Sequence, residues 1–280
     1  MEVQIFGGKG FVGSAFVDKC TDKKILCIVN ERNDYVINSR DIVYMISTVS
    51  NYNVIKDPHI DINTNLTILM KILEQCKDRE NVTFNFISSW FVYGETDIPA
   101  NENSHCKPNG FYSITKRCAE QLIISFCRTF NIKYRILRLA NVVGHGDKKA
   151  SPQKNAIQYM INELKLGNDI NVYDGGNFYR DYIHVNDVSN AIYLIITKGE
   201  TNTIYNVGNG KPLLFKDMIG YAKSKISNKS KFLTIKTPEF HKVVQVKSMW
   251  MNSDKLFSLG YKPKYNMEAM IEDMIHHNPS

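Results

Sequence analysis

A glycine-rich turn directly after the first apolar strand constrains the fold of this chain more than any other feature. Residues 3–6 read as a buried strand, and glycines follow at positions 7, 10 and 13. Such glycines allow a tight turn, close approach of the backbone to a phosphate, and close packing of the next helix on the strand. The N-terminus of that helix supplies amide donors and a positive dipole end. The pattern predicts a site for the pyrophosphate of a dinucleotide, formed by Gly7, Lys9, Gly10, Phe11, Val12 and Gly13.

The residues after the second strand bear on which dinucleotide is bound. Residues 24–29 read as that strand, and Asn30, Glu31 and Arg32 follow it. A carboxylate at this position accepts hydrogen bonds from the ribose hydroxyls of NAD, whereas a neutral residue with a nearby arginine accommodates the additional phosphate of NADP. Asn30, Arg32 and Lys9 favour NADP, while Glu31 favours NAD. The expected cofactor is NADP, with NAD as the alternative, and further residues expected to contact it are Asn30, Arg32, Ser47 and Thr48.

Strands and helices alternate along the first half of the chain. Residues 41–48, 82–89 and 134–139 read as buried strands, and 61–76 and 112–130 read as helices between them. Strands alternating with helices of this length predict an α/β fold with a doubly wound parallel sheet that is covered on both faces. The connection that precedes residue 41 is too short to hold both a helix and a strand.

The regular alternation ends near residue 147, which suggests two domains. We expect residues 1–147, together with about 181–203, to form a Rossmann domain that binds the dinucleotide. Residues 148–280 are expected to form mainly a smaller, C-terminal substrate-binding domain. Helices are predicted in this part at 156–166, 189–197, 215–226 and 267–276.

Composition and charge narrow the class of protein. The net charge of +7 suits an anionic partner, but the basic residues are dispersed, so we expect an anionic small molecule and no nucleic acid. The N-terminal residues lack the pattern of a signal peptide and no apolar run reaches membrane-spanning length, so no membrane partner and a cytoplasmic location are expected. The six cysteines form no Cys-x-x-Cys pair, which predicts reduced thiols and no metal site.

A tyrosine and a lysine lie one turn apart at the start of the central helix. Tyr112 and Lys116 share one helical face, where an ammonium would lower the phenol pKa from its usual value of about 10. Such a phenol can act as a general acid or base. Ser89 ends a strand at the edge where ligands bind in such sheets, so its hydroxyl could share a substrate oxygen with Tyr112. The same spacing recurs in two pairs that are interpreted as solvated helix faces: Tyr52/Lys56 and Tyr221/Lys225.

Four motifs follow one another along the chain. They are Gly-x-x-Gly-x-x-Gly at 7–13, Ser-Ser-x-x-Val-Tyr-Gly at 88–94, Tyr-x-x-x-Lys at 112–116, and Arg-Asp-Tyr-Ile-His-Val-x-Asp-Val at 180–188. In this order they resemble the extended short-chain dehydrogenase/reductases, a family of NAD(P)-dependent nucleotide-sugar epimerases, dehydratases and reductases. The resemblance runs from residue 3 to about 210. It implies a nucleotide-sugar substrate and a homodimer joined by a four-helix bundle, for which the helices at 61–76 and 112–130 are the candidates.

The resemblance also implies roles for single residues. Tyr112 would be the general acid/base, Lys116 would orient the nicotinamide ribose and lower the tyrosine pKa, and Ser89 would align the reacting oxygen. Asn63 would be the structural asparagine of the active-site network. The residues expected at the substrate are Ser89, Trp90, Phe91, Asn141, Asn155 and Arg180, of which the last three would hold the nucleotide diphosphate.

Departures from the family pattern restrict the reaction. Trp90 and Phe91 occupy the positions where the 4,6-dehydratases carry an Asp-Glu pair, so dehydration is not expected. Phe91 also replaces the cysteine that the fucose-synthase branch uses for epimerisation. Two reactions remain: NADPH-dependent reduction of the 4-keto group of a nucleotide-linked 6-deoxyhexulose, and NAD-dependent 4-epimerisation of a nucleotide sugar. We favour the reductase, and a non-catalytic NAD(P)-binding sensor on the same fold is a third alternative.

Overall fold

The computed structural model of the protein describes residues 1–148 and 150–277. Strands and helices alternate within these residues as an α/β fold requires. The strands are β1 (Glu2–Phe6), β2 (Leu26–Val29), β3 (Asp41–Tyr44), β4 (Thr83–Ser89), β5 (Lys133–Leu139), β6 (Asn141–Val143), β7 (Ile170–Tyr173), β8 (Tyr179–Arg180), β9 (Tyr182–His184), β10 (Thr203–Val207), β11 (Leu213–Leu214) and β12 (Phe232–Ile235). The helices are α1 (Phe11–Asp22), α2 (Ile60–Ile62), α3 (Ile68–Cys76), α4 (Phe111–Thr129), α5 (Ala156–Lys165), α6 (Val185–Lys198), α7 (Phe215–Lys225), α8 (Glu239–Val244), α9 (Asp254–Ser258) and α10 (Met267–His276).

The central sheet carries six parallel strands in the order β10-β5-β4-β3-β1-β2. Ile5 of β1 pairs with Val43 of β3, and Phe86 of β4 pairs with Ile136 of β5. Since β2 lies on one side of β1, and β3, β4, β5 and β10 follow one another on the other side, the sheet is wound in both directions, as in a Rossmann-type fold. The predicted fold class is confirmed. All carboxyl ends of these strands therefore lie at one edge of the sheet.

The connection between β2 and β3 is an extended loop, as its length predicts. The buried side chain of Gln4 in β1 holds it: Oε1 accepts a hydrogen bond from Asn38 N at 2.6 Å, and Nε2 donates to Val36 O at 2.7 Å. Nε2 also donates to Asn30 Oδ1 at 2.7 Å. One buried side chain thus satisfies backbone groups that a further strand would otherwise pair.

Three apolar clusters hold the layers together. The first packs α1 and α6 on one face of the sheet, and Ile192 of α6 is fully buried in it. The second packs α3 and α4 on the other face, around residues such as Ile123. The third joins α5, α7 and α10 around Met270 and gives the C-terminal part its own core. The domain limits at residues 147 and 148 stay a prediction, although β10 shows that the central sheet extends to Val207.

Several local features differ from the sequence-based expectation. Helix α6 begins at Val185 rather than at 189, because the His184 side chain accepts a hydrogen bond from Asn186 N and caps the helix there. Tyr52 does not lie on a solvated helix face: it precedes a short 3₁₀ turn, and its hydroxyl lies 2.7 Å from Nδ1 of His241. All six cysteines are free thiols. Within the part of the chain that the structure describes, no helix is both long and apolar enough to cross a membrane.

Candidate active site

The glycine turn between β1 and α1 has the geometry that a pyrophosphate site requires. Gly7 adopts a φ of +87°, a conformation that favours glycine, and Gly10 N donates to Gly7 O at 3.1 Å. A Cβ at Gly13 would lie 2.3 Å from Gly7 O, so only glycine lets α1 pack this closely on the turn. The first-turn amides of α1, including those of Phe11 and Val12, lack helical acceptors by their position. The turn therefore fits the phosphates of a dinucleotide.

The residues after β2 are engaged in contacts of their own. Lys9 Nζ donates to Glu31 Oε2 at 2.6 Å in an exposed ion pair. The carboxylate that favours NAD and the lysine that favours NADP therefore neutralise each other. Asn30 is buried, and its Nδ2 donates to Asp34 Oδ2 at 3.1 Å, so this side chain holds the loop after β2. Arg32 is exposed. The roles of these residues toward the cofactor stay predictions.

Tyr112 lies buried at the start of α4 and beside the end of β4. The side chains of Ser89 and Ser47 lie near its hydroxyl and act to lower its pKa. Burial raises the pKa of Tyr112 to about 12, and the nearby Asp61 carboxylate acts in the same direction, while the two serine contacts oppose them. The phenol is thus protonated near neutral pH. The structure brings the predicted Ser89–Tyr112 pair together.

Lys116 lies one turn further along α4 and is 2% exposed. Its Nζ donates to the Ile87 carbonyl at 2.6 Å and lies 4.1 Å from the centre of the Phe86 ring. Burial lowers the pKa of Lys116 to about 7, and the negative charge of Glu120 opposes that shift. The pKa of Tyr112 is raised in this structure because the cost of burying a phenolate outweighs the effect of the nearby serines, and the lowering expected from Lys116 stays a prediction.

Asn65, and not Asn63, belongs to the polar network of the site. Asn63 is exposed, whereas Asn65 is buried within a π-helical turn at Asn63–Thr67. Its Oδ1 accepts from Thr48 N at 2.8 Å and from Ser47 Oγ at 3.1 Å. Its Nδ2 donates to Thr115 Oγ1 at 2.9 Å. Asn65 therefore joins the end of β3 to α4, and the assignment of Asn63 is corrected.

The helical spacing of the sequence could have identified Asn65 as a buried residue. Leu69 is buried in α3, and positions 65 and 61 precede it by one and two turns on the same stripe. Both of these positions are buried, and both carry polar residues of the site, Asn65 and Asp61. Ile62, an apolar residue between these two positions, is 43% exposed. A search for apolar residues alone sets the phase of this helix wrongly, because its first buried positions are polar.

Asn51 fixes the start of the helix that carries Tyr112. Its Oδ1 accepts hydrogen bonds from both the backbone N and the Oγ of Ser113, each at 3.1 Å. These contacts satisfy an amide of the first turn of α4, which has no acceptor within the helix. A Cβ at Gly110 would lie 2.1 Å from Asn51 Oδ1, so glycine at the helix start permits the approach. No motif in the sequence indicates this role of Asn51.

A buried ion-pair network anchors α4 to the sheet. Glu120 accepts from Ser88 Oγ at 2.6 Å and from Arg138 Nη2 at 2.8 Å. Burial raises the pKa of Glu120, but the hydrogen bonds and charge of Arg138 outweigh it and hold that pKa below its usual range. Because breaking such a buried pair strands a charge, the network holds α4 firmly against β4 and β5.

The expected substrate residues Trp90 and Phe91 form an aromatic pair beside Tyr112. Their rings stack with centres 4.0 Å apart, and the Phe91 ring meets the Tyr112 ring edge-on at 5.7 Å. Trp90 Nε1 donates to Asn141 Oδ1 at 3.3 Å, and Asn141 Nδ2 donates to Asp181 O at 2.9 Å. The structure thus links Asn141 to the aromatic pair.

Arg180 lies beside Trp90 of the same aromatic pair. Its guanidinium carbon is 5.5 Å from the centre of the Trp90 ring, and its Nη atoms donate to Val246 O at 2.7 Å and Lys247 O at 2.6 Å. Burial lowers the pKa of Arg180 to about 10. Asn155 has a different partner, since its Nδ2 donates to Asp147 Oδ2 at 3.1 Å. Arg180, but not Asn155, is therefore in contact with the expected substrate residues.

The order of these motifs on this sheet matches a known family. The sequence profile of the NAD dependent epimerase/dehydratase family matches residues 3–208. The chain belongs to this family. The resemblance to extended short-chain dehydrogenase/reductases, stated from the motifs, is confirmed.

Relatives of this epimerase/dehydratase family member span its whole length. A protein of Methanocaldococcus jannaschii that is provisionally named a UDP-glucose 4-epimerase is 26% identical over 305 aligned positions, covering 98% of this chain and 97% of the relative. A UDP-glucose 4-epimerase from Thermotoga maritima, solved with UDP-glucose, has a TM-score of 0.86 at 20% identity and covers 99% of this chain and 98% of that one. RMD from Pseudomonas aeruginosa, complexed with NADPH, has a TM-score of 0.85 at 20% identity, covering 98% and 97%. The protein is an enzyme of the NAD(P)-dependent nucleotide-sugar epimerase, dehydratase and reductase class.

Proposed function

We propose that the protein is an NADPH-dependent 4-reductase that acts on the 4-keto group of a nucleotide-linked 6-deoxyhexulose. The observation that carries this proposal is the stacked Trp90–Phe91 pair beside Tyr112. Neither side chain holds an acid that could eliminate water or a thiol that could move a proton next to a ketone. The reactions left to the site are transfers of a hydride at one sugar carbon.

The aromatic pair also limits the room for the sugar. A cavity of only about 10 Å³ lies beside it and is lined in part by Trp90, Phe91 and Ser113. Pockets that enclose a whole ligand measure roughly 300–1,000 Å³. A 4-epimerase must present both faces of a keto sugar to one hydride donor, so the ring has to turn over in the site. A reductase needs a single orientation, which a narrow space favours.

The protonation of Tyr112 suits reduction. Because burial raises the pKa of Tyr112 to about 12, the phenol holds its proton near neutral pH and can donate it to the oxygen at C4. The Ser89 hydroxyl, which lies near that of Tyr112, would hold that oxygen in place. Lys116 would donate hydrogen bonds to the nicotinamide ribose. A bound reduced nicotinamide would supply the hydride.

The charged residues around the site support the proposed ligands. Lys9 and Arg32 lie near the strand end that faces the adenosine ribose in this fold and would bind the additional phosphate of NADP. The contact between Lys9 and Glu31 also neutralises that carboxylate. The Arg180 guanidinium, with its forked donors, would hold the diphosphate of the sugar nucleotide. To do so it would exchange its backbone partner at Val246 or Lys247 for a phosphate oxygen.

A 4-epimerase is the second candidate. Glu31 stands at the carboxyl end of β2, where a carboxylate favours NAD. The Methanocaldococcus jannaschii relative and the Thermotoga maritima structure also carry the name UDP-glucose 4-epimerase. The two reactions use the same Tyr112, so their difference lies in whether the cofactor is consumed.

The two reactions are separated by following the cofactor. The protein is incubated with nucleotide-linked 4-keto-6-deoxyhexoses and either NADPH or NADH, and separately with nucleotide hexoses and NAD, while absorbance of the reduced nicotinamide is recorded. For a reductase we expect one NADPH oxidised per keto sugar consumed. Interconversion of hexoses without net oxidation would replace this proposal by the epimerase.

Replacement of Tyr112 tests whether the site is catalytic. Tyr112→Phe should lower kcat at least about 100-fold, because proton transfer by a positioned side chain contributes roughly 10²–10⁴-fold. Binding of NADPH, measured by fluorescence, should remain. Tyr221→Phe is the matched control, since Tyr221 has the same spacing to a lysine but contacts Glu272 instead. Equal losses in both variants would contradict the assignment of Tyr112.

A further inference from the structure

Histidines from three parts of the chain converge on Asp273 of α10. His145 lies in the loop after β6, His184 ends β9, and His277 follows α10 directly. The rings of His145 and His277 have centres 4.9 Å apart, and those of His145 and His184 are 5.9 Å apart. This cluster lies outside the Tyr112 site, and the proposed reaction does not use it.

Three atoms of the cluster that could bind a metal lie close together. Asp273 Oδ1 lies 3.1 Å from His145 Nδ1 and 3.3 Å from His277 Nδ1, and the three atoms all lie within 4.8 Å of one another. In a tetrahedral zinc site with bonds of about 2.0–2.1 Å, ligand atoms are roughly 3.4 Å apart. Small side-chain rotations would bring these atoms to that spacing. Asp273 and His277 are one helical turn apart, so both reach the same side of the helix end.

The other oxygen of Asp273 is held by separate donors. His184 Nδ1 accepts from Asn186 N at 3.2 Å, so its proton is on Nε2, which donates to Asp273 Oδ2 at 3.0 Å. The His145 backbone N also donates to Oδ2, at 2.8 Å. The His184 ring is fixed in turn by stacking on Tyr265 at 3.6 Å. In metal sites, a carboxylate ligand is commonly held in position by hydrogen bonds from groups that do not themselves bind the metal.

We propose that His145, Asp273 and His277 bind one divalent transition-metal ion, with zinc as the preferred class and water completing the coordination. Imidazole nitrogen and carboxylate oxygen are ligands that suit Zn²⁺. The side chains of His145 and His277 are 42% and 57% exposed, so an ion and its water can enter from solvent. The Asp273 carboxylate, whose side chain is 11% exposed, brings the negative charge that a cation needs.

The ion would fasten the C-terminal helix to a loop near the cofactor turn. His145 is followed by Gly146, where a Cβ would lie 3.9 Å from the Phe11 ring at the start of α1. The site would thus fix the end of α10 and the loop after β6 in one position. The cysteine spacing predicts no metal site, but these ligands are two histidines and a carboxylate, and His145 stands 128 positions before Asp273 in the chain.

Metal titration tests the proposal on the full-length, untagged protein. After treatment with a chelator, Zn²⁺ binding is followed by calorimetry, and Co²⁺ is added to record the visible absorption of a tetrahedral site. We expect one ion per chain and a rise in Tm of several degrees with Zn²⁺. Absence of stoichiometric binding, or a Tm that Zn²⁺ leaves unchanged, would show that the cluster is only a set of hydrogen bonds.

Single substitutions identify the ligands. His145→Ala and His277→Ala should each weaken Zn²⁺ binding at least about tenfold, since loss of an outer partner alone costs 10–100-fold. His276→Ala is the matched control, because His276 is an exposed histidine next to the cluster in the same helix. His277 is also exposed, so its replacement leaves the fold intact and decides the question even where His145→Ala does not fold. Equal affinity in the His277→Ala and His276→Ala variants overturns the proposal.

Discussion

Lys116 shows how the environment of a single residue changes its chemistry. Its ammonium lies within the apolar layer, over the Phe86 ring, with the Ile87 carbonyl as a hydrogen-bond acceptor. Burial lowers the pKa of Lys116 from 10.5 to about 7. A lysine of this kind can change its charge near neutral pH, which an exposed lysine does not do.

The buried Lys116 predicts a pH dependence of stability. The unfolded chain keeps this proton up to its ordinary pKa of 10.5, while the folded chain releases it near 7. At pH 7 and below, the folded protein therefore bears the cost of a buried cation, and that cost falls as pH rises toward 10.5. Lys116→Met should be more stable than the natural protein at pH 7, and the difference should shrink by pH 9.

Denaturation with urea at both pH values measures this difference in the free energy of unfolding. Lys77→Met, at an exposed lysine that follows α3, controls for the change of residue type. A difference between the Lys116→Met variant and the natural protein that stays constant from pH 7 to pH 9 would contradict the pKa assigned to Lys116.

The packing of α1 on β1 decides whether the glycine turn can form. A Cβ at Gly13 would lie 2.7 Å from Gly8 Cα as well as 2.3 Å from Gly7 O, and these backbone atoms belong to the turn itself. The turn can move aside only by changing the conformation that presents amides to a phosphate. This contact couples the stable packing of α1 on the turn to binding of the cofactor.

Gly13→Ala should therefore lose both stability and cofactor affinity. We expect a destabilisation of about 1–3 kcal/mol from overpacking, with NADPH binding weakened in fluorescence titration. Gly220→Ala is the matched control, because Gly220 also lies in a helix but a Cβ there meets no atom within 4 Å. That variant should gain up to about 1 kcal/mol, since alanine favours a helix more than glycine does. An unaltered Tm and NADPH affinity in Gly13→Ala would show that the turn tolerates a side chain.

At the scale of the whole molecule, apolar side chains remain exposed along α4 and the neighbouring α2. Ile62, Ile114 and Phe130 are 43%, 48% and 43% exposed. A groove between α3 and α4, which includes Met70 and Phe126, runs along the same face. Apolar area of this kind on paired helices is typical of a contact between subunits. The four-helix-bundle homodimer stays our prediction.

Sedimentation velocity tests the predicted dimer. The mass derived for the natural protein should be twice that of one chain. The Ile114→Glu variant should be a monomer, because a charge would be buried at the contact without a partner. Leu166→Glu is the control, since Leu166 is exposed outside these helices at the end of α5. A natural protein that is monomeric at all concentrations would refute the dimer.

Local patterns in the sequence were enough to predict the fold and to propose Tyr112 and Lys116 as a catalytic pair. The glycine turn, the alternation of strands and helices, and the Tyr112–Lys116 spacing each depend on residues close together in the chain. For this reason the parallel sheet and the family follow from the sequence. The order of the motifs also placed Ser89 and Tyr112 at one sheet edge, where the structure brings their side chains close together.

Only the tertiary structure decided which neighbours surround these residues. Asn65 replaces Asn63 because two positions along a helix turn a side chain by about 200°, from solvent to core. Asn51 and the His145–Asp273–His277 cluster depend on contacts between segments far apart in the chain, which no local period records. The charge state of Lys116 is also tertiary, because burial, and not its spacing from Tyr112, lowers its pKa.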